Sequence, residues 1–477
     1  MPIRLDTLLD LGDPEADKFL EDIQGNIIKG HGRDFTRHLL LKMTGDPAAV
    51  KRWIAGFAAE HVTSAQEQRR QRDAWRAQGG PGERFAMFLL SPDGYRYLDE
   101  QPPSPDGDFT VGMKRRQPGQ PAEPAIPSDP PVEQWERPYQ GQIDAMVLLA
   151  DDKLERLKET ERVVTGQLSG IFEKLTTERG RAIKKTFPGE TVEKTIEHFG
   201  FQDGISQPIM IRQDLDEEIR KRGKSHWNPE ALLSLALVRE PGSEPDSTKR
   251  PRLGSFMVFR KLEQDVTAFQ EAIARLSSSS GVSREQVGAM AVGRFENGEP
   301  VLPGVTVKVE GSDKNDFQYD QDAQGAKCPF HAHIRKTNPR GDVPREGLGT
   351  EDFERAMRIV RRGITYDEHL DPETGAELEV PSAGVGLLFM CFQANLRQFL
   401  IQQDGSDDND FVRDRTGFDA VIGQFHGADT APEAPIEQTW PTSTGTVKFK
   451  MVNFVRMRGG EYFFAPSMRF LHGFAQP

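Results

Sequence analysis

Cysteine, positive charge and long apolar runs are all scarce in this chain of 477 residues. The two cysteines, Cys328 and Cys391, are too few for a disulfide framework. Acidic residues outnumber basic ones, and the formal net charge of −13 argues against nucleic acid as a partner. No apolar run reaches the length of a membrane span, and residues 1–20 lack the apolar core of a secretory signal. These absences favour a soluble, cytoplasmic protein.

Nucleotide-binding motifs are missing as well. No GxGxxG follows a predicted strand, and there is no P-loop. What the chain does have is a mixture of short apolar runs and amphipathic stretches with local connections, which favours an α+β fold over a doubly wound parallel sheet. A length of 477 residues exceeds what one compact core usually supports, so two domains are expected.

The apolar patterns locate the main elements. Continuous apolar runs predict strands, and three-, four- and seven-residue spacings predict helices. Predicted strands cover 38–43, 85–90, 142–150, 255–260, 385–393 and 460–466. Predicted helices cover 64–76, 153–178, 266–276 and 283–295.

Composition also divides the chain. Residues 1–20 are predicted to be a loosely ordered arm, 21–210 a first domain, 211–252 a charged linker and 253–477 a second domain. Residues 101–135 hold nine prolines without periodicity, which indicates a long surface excursion.

The segment Cys328–Arg340 (CPFHAHIRKTNPR) contains two of the ten histidines, His331 and His333. Imidazole ligates transition metals and haem iron without needing a negative charge. On a helix the two rings point nearly opposite ways; on a strand they share a face and could bind zinc together. A lone buried or surface histidine without ligand is the ordinary alternative, and no matching Cys/His cluster stands elsewhere.

Two further segments carry candidate chemistry. In Phe199–Pro208 (FGFQDGISQP), Asp203 stands between glycines and aromatics, where burial would shift a carboxyl pKa toward proton transfer. An Asp-Gly turn is the simpler interpretation. In Met357–Tyr366 (MRIVRRGITY), the pair Arg361–Arg362 would be solvated by default, or one guanidinium would stabilise developing negative charge.

In this order, the segments resemble the dye-decolourising peroxidases, haem enzymes with two ferredoxin-like domains. GFQDG matches the GxxDG signature of that family, AHIRKTNPR matches its proximal-histidine segment, and IVRRG matches its distal-arginine segment. The resemblance also includes DIQGNIIKG (22–30), FTVGM (109–113), GFDAVIG (417–423) and GGEYFFAPS (459–467). It therefore extends from about residue 20 to near the end.

The resemblance implies α+β architecture with antiparallel sheets, flanking helices and one haem b, bound mainly by the C-terminal half. His333 would ligate the iron, whereas His331 falls where relatives commonly carry a small residue. Asp203 and Arg361 would be the catalytic residues on the opposite, distal side, and Arg362 a propionate or surface contact. Further implied cofactor contacts are Leu387 and Phe389, lining the distal pocket, and Asp419, accepting a hydrogen bond from His333.

The implied function is oxidation of dyes, phenols or other aromatic reductants by hydrogen peroxide, in one-electron steps through a ferryl porphyrin radical. Large substrates would need a surface relay, for which Trp440, Tyr366 and Tyr462 are candidates, although ordinary packing is the default for each. A haem carrier without turnover is the alternative, and it would need neither Asp203 nor Arg361. A non-haem metal site at His331 and His333 is a third hypothesis. No nucleic acid or membrane partner is expected, and the oligomeric state is left open.

Overall fold

The structure is a computed structural model. It describes residues 3–103, 107–115, 128–222, 227–243, 250–301, 314–370, 383–407, 410, 412, 416–424, 437–442 and 444–475. Its strands are β1 (Phe35–Met43), β2 (Phe85–Leu90), β3 (Ala145–Asp151), β4 (Phe172–Arg181), β5 (Ile183–Lys185), β6 (Lys194–Ile196), β7 (Val238–Arg239), β8 (Leu253–Gln264), β9 (Val360–Arg361), β10 (Ile364–Asp367), β11 (Val385–Gln393), β12 (Gln438–Pro441), β13 (Thr446–Phe449) and β14 (Val455–Ala465).

The helices lie between and outside these strands. They are α1 (Ala16–Asp22), α2 (Pro47–Glu60), α3 (Ala65–Gln78), α4 (Pro92–Tyr97), α5 (Gly107–Val111), α6 (Arg137–Gln140), α7 (Leu154–Gly166), α8 (Arg212–Arg222), α9 (Val266–Ser280), α10 (Arg284–Val292), α11 (His333–Thr337), α12 (Asp342–Arg345), α13 (Glu351–Ala356), α14 (Arg397–Asp407) and α15 (Met468–Gly473). None of the helices in the described part of the chain combines the length and apolarity that a bilayer crossing requires.

Two units with the same βαββαβ topology build the main sheet. In the first unit the strands lie in the order β2-β3-β1-β4, and in the second in the order β10-β11-β8-β14, all antiparallel. The β4–β10 and β14–β2 pairings join the units, so the hydrogen-bonded strands close into a ring. This confirms the predicted α+β fold with two ferredoxin-like units.

Two apolar cores result. The larger core is formed by residues of both units, including Leu39–Leu41, Met87–Leu90 and Met257–Phe259. The smaller core contains Phe269, Val287, Ala332 and Trp440 of the second unit, together with Phe199 and Phe201. It supports the segment that carries His333, because Ala332 is fully buried in it.

The helix predicted over 153–178 is wrong in its second half. Helix α7 ends at Gly166, Gly170 has a positive φ of 73°, and strand β4 begins at Phe172. Strand β4 pairs with β1 along its length. Leu168, Ile171 and Leu175 fitted the helical spacing. The segment nevertheless forms a strand, because its backbone hydrogen-bonds to β1, a distant contact that the spacing of apolar residues does not reveal.

The predicted domain boundaries remain predictions, although the elements around them are now visible. Residues 211–252, expected as a linker, hold helix α8 and strand β7, which pairs with β8. The expected arm, 1–20, forms an isolated bridge between Leu9 and Ile211 and begins helix α1. Much of the proline-rich segment 101–135 lies outside the described residues; α5 and α6 lie close to its ends.

Candidate active site

One cavity collects most of the predicted site residues. Its walls come from the second unit and from residues 197–208 of the first half of the chain. The volume in which the centre of a water molecule can lie is about 250 Å³. One bound water needs about 10–15 Å³ of such volume. The cavity therefore has room for a ligand of cofactor size.

His333 lies on one wall, at the first position of helix α11. Its Nδ1 is 2.9 Å from Oδ2 of Asp419, so Nδ1 carries the proton and Nε2 is the nitrogen left for a ligand. Burial alone would lower the pKa of His333, but the charge and hydrogen bond of Asp419 hold it above its ordinary value. We call His333 and Asp419 the proximal pair.

Asp419 is fixed more tightly than a single contact would fix it. Its side chain is 0% exposed, and its Oδ1 accepts hydrogen bonds from the backbone N–H groups of Val421 and Ile422, at 2.8 and 3.0 Å. Burial tends to raise the pKa of Asp419, but His333 and these N–H groups hold it below its ordinary value. The carboxylate therefore stays ionised and orients the imidazole.

His331 has a different environment although it stands only two residues away. It is buried, its Nδ1 lies 3.2 Å from the carbonyl of Thr416, and its ring packs on Trp440 with centroids 4.4 Å apart. Burial lowers the pKa of His331 to about 3, so it is neutral. Ala332 is extended and His333 begins a helix, which separates the two rings.

Asp203 lies on the same cavity, after a tight turn. Its backbone N–H donates to the carbonyl of Thr195 at 3.0 Å. Its Oδ1 accepts from the N–H of Gly204 at 2.6 Å and from Nη1 of Arg361 at 3.2 Å. Oδ2 accepts no hydrogen bond from any described residue. Gly204 has a positive φ of 79°, so the Asp-Gly turn exists and it presents the carboxylate to the cavity.

Arg361 reaches the cavity from strand β9 and completes what we call the distal pair with Asp203. Nη2 donates to the carbonyl of Ile205 at 2.8 Å, which fixes the guanidinium plane. Arg362 does not line the cavity: its guanidinium donates to the carbonyls of Asn26, Ile27 and Arg361. The two neighbouring arginines therefore have separate contacts, and the propionate or surface role expected of Arg362 stays a prediction.

Strand β11 supplies the apolar lining near the distal pair. Leu387 and Phe389 face the cavity, whereas the alternate residues Leu388 and Met390 are buried in the larger core. This is the two-residue alternation of a strand with two covered faces. The sequence run VGLLFMCFQ is apolar throughout and did not itself distinguish these two faces.

Glu197 and Arg358 are among the cavity residues that the sequence did not point to. Glu197 accepts N–H groups of Phe199 and Phe201, at 2.8 and 2.9 Å, and burial raises its pKa to about 7. Arg358 stands three residues before Arg361. The signals were an acidic residue just before the GFQDG turn and a third arginine before the RR pair, but surface charges follow the same pattern.

The three aromatic relay candidates are all buried. Trp440 and Tyr462 are fully buried, and Tyr366 is nearly so. All three rings are therefore packed in the protein interior, and none of them is exposed at the surface.

A shared metal site at His331 and His333 receives no support. The two rings contact different partners, and the described residues contain no group of three or more His, Cys, Asp or Glu side chains able to hold a metal ion.

Comparison with known proteins gives consistent relatives. No family model matches the chain. The chain is 36% identical to the multifunctional dye peroxidase of Amycolatopsis sp., over 99% of both chains. It is 31% identical to the dye-decolorizing peroxidase msp1 of Mycetinis scorodonius, over 72% of this chain and 68% of the relative. The solved DyP-type peroxidase of Anabaena sp. superposes with a TM-score of 0.84 at 36% identity, covering 98% of this chain and 97% of the other.

Proposed function

The chain belongs to the dye-decolourising peroxidase family and is a peroxidase, and we propose that the cavity holding the proximal and distal pairs is its haem site. Peroxidases of this family are haem enzymes. The finer assignment, one haem b held by Nε2 of His333, is our proposal. The single observation that carries it is an imidazole whose Nδ1 is occupied by Asp419 and whose other nitrogen is left for a ligand in a cofactor-sized cavity.

The residues present fit a haem better than they fit a protein-caged metal. A haem iron needs only one protein ligand on its proximal side, because the porphyrin supplies four nitrogens. The cavity offers that one imidazole, and the described residues offer no cluster that would replace the porphyrin. Apolar side chains such as Leu387 and Phe389 suit the faces of a large aromatic ligand.

The distal carboxylate is suited to moving a proton. Haem, when bound, supplies an iron that coordinates peroxide and the redox capacity for two one-electron oxidations. Oδ1 of Asp203 is held by Gly204 and Arg361, which leaves Oδ2 to accept a proton from entering hydrogen peroxide. The same atom returns that proton to the oxygen that leaves as water.

Arg361 contributes charge without exchanging a proton. A guanidinium stays protonated at any working pH, so it stabilises an anionic peroxide and the negative charge on a departing oxygen. Its bonds to Asp203 and to the Ile205 carbonyl hold it in place before substrate arrives. A group that is already oriented needs no reorganisation at the moment of reaction.

Asp419 would act on the iron only through His333. An ionised carboxylate on Nδ1 fixes the tautomer and makes Nε2 a stronger electron donor. The buried position of Asp419 strengthens this effect, because no water competes for the hydrogen bond.

Hydrogen peroxide and aromatic reductants, including dyes and phenols, are the substrates we propose. The carrier alternative needs a proximal ligand and a cavity but no distal acid–base pair. Asp203 and Arg361 contact each other on the cavity wall, and this observation favours turnover over storage.

The test is a stopped-flow absorbance measurement of purified holoprotein mixed with hydrogen peroxide. We expect a Soret band in the parent protein and a first absorbance change that slows about 10²- to 10⁴-fold in Asp203→Asn. Asp320→Asn, which removes an exposed carboxylate, is the matched control and should react at the parent rate. An Asp203→Asn protein as fast as the parent would refute the distal assignment, and a protein without a Soret band would refute the haem site.

A further inference from the structure

Arg358 is a cavity-lining cation that has no part in the roles proposed for Asp203 and Arg361. Arg358 lies between helix α13 and strand β9, and only 9% of its surface is exposed to solvent. Burial lowers the pKa of Arg358 to about 10, which still leaves it charged at neutral pH. A charge that is kept away from water is costly unless something compensates it.

The described contacts of Arg358 compensate it only in part. Nη1 donates to the carbonyl of Asn228 at 2.6 Å, and the guanidinium carbon lies 4.9 Å from the ring centre of Trp227. Nε is buried and has no hydrogen-bond partner among the residues that the structure describes. Among the described residues, no carboxylate lies within ion-pair distance of this guanidinium. Glu354 acts on it from farther away, and both oxygens of Glu354 accept the backbone N–H of Gly341.

Three other cations on the cavity wall have a carboxylate in contact, and a fourth, Arg294, donates to oxygens of Gly298, Lys314, Ser206 and Asn315. His333 has Asp419 at 2.9 Å, Arg361 has Asp203 at 3.2 Å, and Arg260 has Asp129 at 2.9 Å. Each of these three charges therefore has a carboxylate of the protein in contact. Arg358 also lies on the cavity wall, but no carboxylate of the described residues contacts it. We therefore expect the ligand of the cavity to supply the anion.

We propose that Arg358 binds a carboxylate of the cavity's ligand, one of the propionate groups that haem carries. The inference rests on the proposed function, because it takes haem as the ligand. A guanidinium matches a carboxylate in shape and offers paired N–H donors, and the contact is stronger in a site that excludes water. Arg358 would then anchor the edge of the cofactor, while His333 anchors its centre.

A purely structural role makes a different prediction. If Arg358 only packs on Trp227 and caps the Asn228 carbonyl, its loss would weaken the binding of any porphyrin of the same shape. If it binds a propionate, its loss matters only when that propionate is charged. Iron protoporphyrin IX dimethyl ester provides this contrast, because it keeps the macrocycle and the iron but carries no carboxylate.

The experiment compares haem with its dimethyl ester in the parent protein, in Arg358→Met and in Arg358→Lys. The measurement is the rate at which each porphyrin leaves the reconstituted holoprotein for excess apomyoglobin. In the parent the ester should leave faster than haem. Arg358→Met should reduce the ratio of the ester's dissociation rate to that of haem by about 10-fold or more, the range of one hydrogen bond to a charged group. Arg358→Lys should keep part of the ratio, because it keeps the charge.

Arg355→Met is the matched control, since Arg355 lies on α13, pairs with Asp352 and is partly exposed. It should leave the ester-to-haem ratio unchanged. An equal ratio in parent and Arg358→Met would overturn the proposal, as would equal weakening of both porphyrins. If Arg358→Met does not fold, an unchanged ratio and an unchanged propionate bending mode in the resonance Raman spectrum of Arg358→Lys would overturn it instead. A parent protein that binds neither porphyrin would refute the haem site itself.

Discussion

The proximal and distal pairs of the cavity each join a carboxylate to a nitrogen-containing side chain, yet they differ in exposure. Asp419 is 0% exposed and His333 26%, whereas Asp203 and Arg361 are 32% and 36% exposed, toward the cavity. Each oxygen of Asp419 accepts at least one hydrogen bond, whereas Oδ2 of Asp203 accepts none from the described residues.

This difference in exposure and hydrogen bonding suits the two carboxylates to different functions. A buried carboxylate with both oxygens engaged fixes a partner and keeps its charge. A carboxylate with one engaged oxygen and one open oxygen keeps its position while it exchanges a proton with a substrate. The proximal pair should therefore control binding of the cofactor, and the distal pair should control the rate of the reaction with peroxide.

The largest expected effect is loss of the iron ligand. His333→Ala should abolish axial ligation by the protein, seen as a changed Soret band and a changed electron paramagnetic resonance spectrum of the ferric holoprotein. His331→Ala is the control, because His331 contacts Thr416 and Trp440 instead of the cavity. A ligation signature that survives in His333→Ala and disappears in His331→Ala would reverse the assignment of the two histidines.

Removal of the distal charge should slow the reaction without releasing the cofactor. Arg361→Leu is expected to reduce the rate of reaction with peroxide about 10²- to 10³-fold, the usual cost of one preorganised stabilising group. Arg361→Lys should fall between parent and Arg361→Leu, because it keeps a charge but loses the planar fork. Stopped-flow rates and haem retention are measured on the same samples. Loss of haem equal to that in His333→Ala would erase the proposed distinction between the pairs.

Asp419→Asn tests the proximal pair more gently. It keeps the shape but weakens the hydrogen bond that orients His333, so we expect a loss of about 10- to 100-fold in affinity for haem. The rate of haem transfer to apomyoglobin gives this value. A variant with unchanged haem retention but a slow peroxide reaction would assign Asp419 to reactivity instead.

The last prediction concerns folding stability rather than the haem or the reaction, at the turn that presents Asp203. The pKa of Glu197 is raised from 4.5 to about 7, so folding favours its neutral form. Its contribution to stability is fully present below pH 4.5 and is lost as the pH rises through 7, by up to about 3 kcal/mol. Glu197→Gln should remove this pH dependence, which denaturant unfolding of the haem-free protein at pH 4.5 and 8 would detect. Parallel pH dependences in parent and variant would contradict it.

The sequence predicted the strands of the ring well where apolar runs are continuous. The runs 85–90, 255–260 and 385–393 all lie in strands, because a strand covered on both faces needs apolar residues at every position. The helix over 153–178 failed beyond Gly166, although Leu168, Ile171 and Leu175 continue the helical spacing. The pairing of β4 with β1 outweighed that local pattern.

Motif resemblance also proposed the site residues, and the structure places all of them except Asp419 on the wall of one cavity, with Asp419 bonded to His333. Leu387 and Phe389 were named, and so was the contact of Asp419 with His333, 86 positions apart in the chain. Glu197 and Arg358 were missed, because a charged residue beside a motif has the same pattern whether it faces solvent or a cavity. Only burial distinguishes these cases, and burial depends on contacts distant in sequence.

The sequence by itself determined most of the strands of the two units and the order of the motifs along the chain. It also limited the rings of His331 and His333 to two arrangements, on one face of a strand or on opposite sides of a helix. The resemblance named His333 as the iron ligand, but the residues themselves left both directions open, and tertiary structure placed His333 on the cavity wall. It also decided that Asp203 and Arg361, 158 positions apart, share a hydrogen bond, and that Arg358 lacks a contacting carboxylate among the described residues. The physical reason is the same in each case: the sequence specifies which groups can ionise, but the partner and the solvent around each group depend on how distant segments pack.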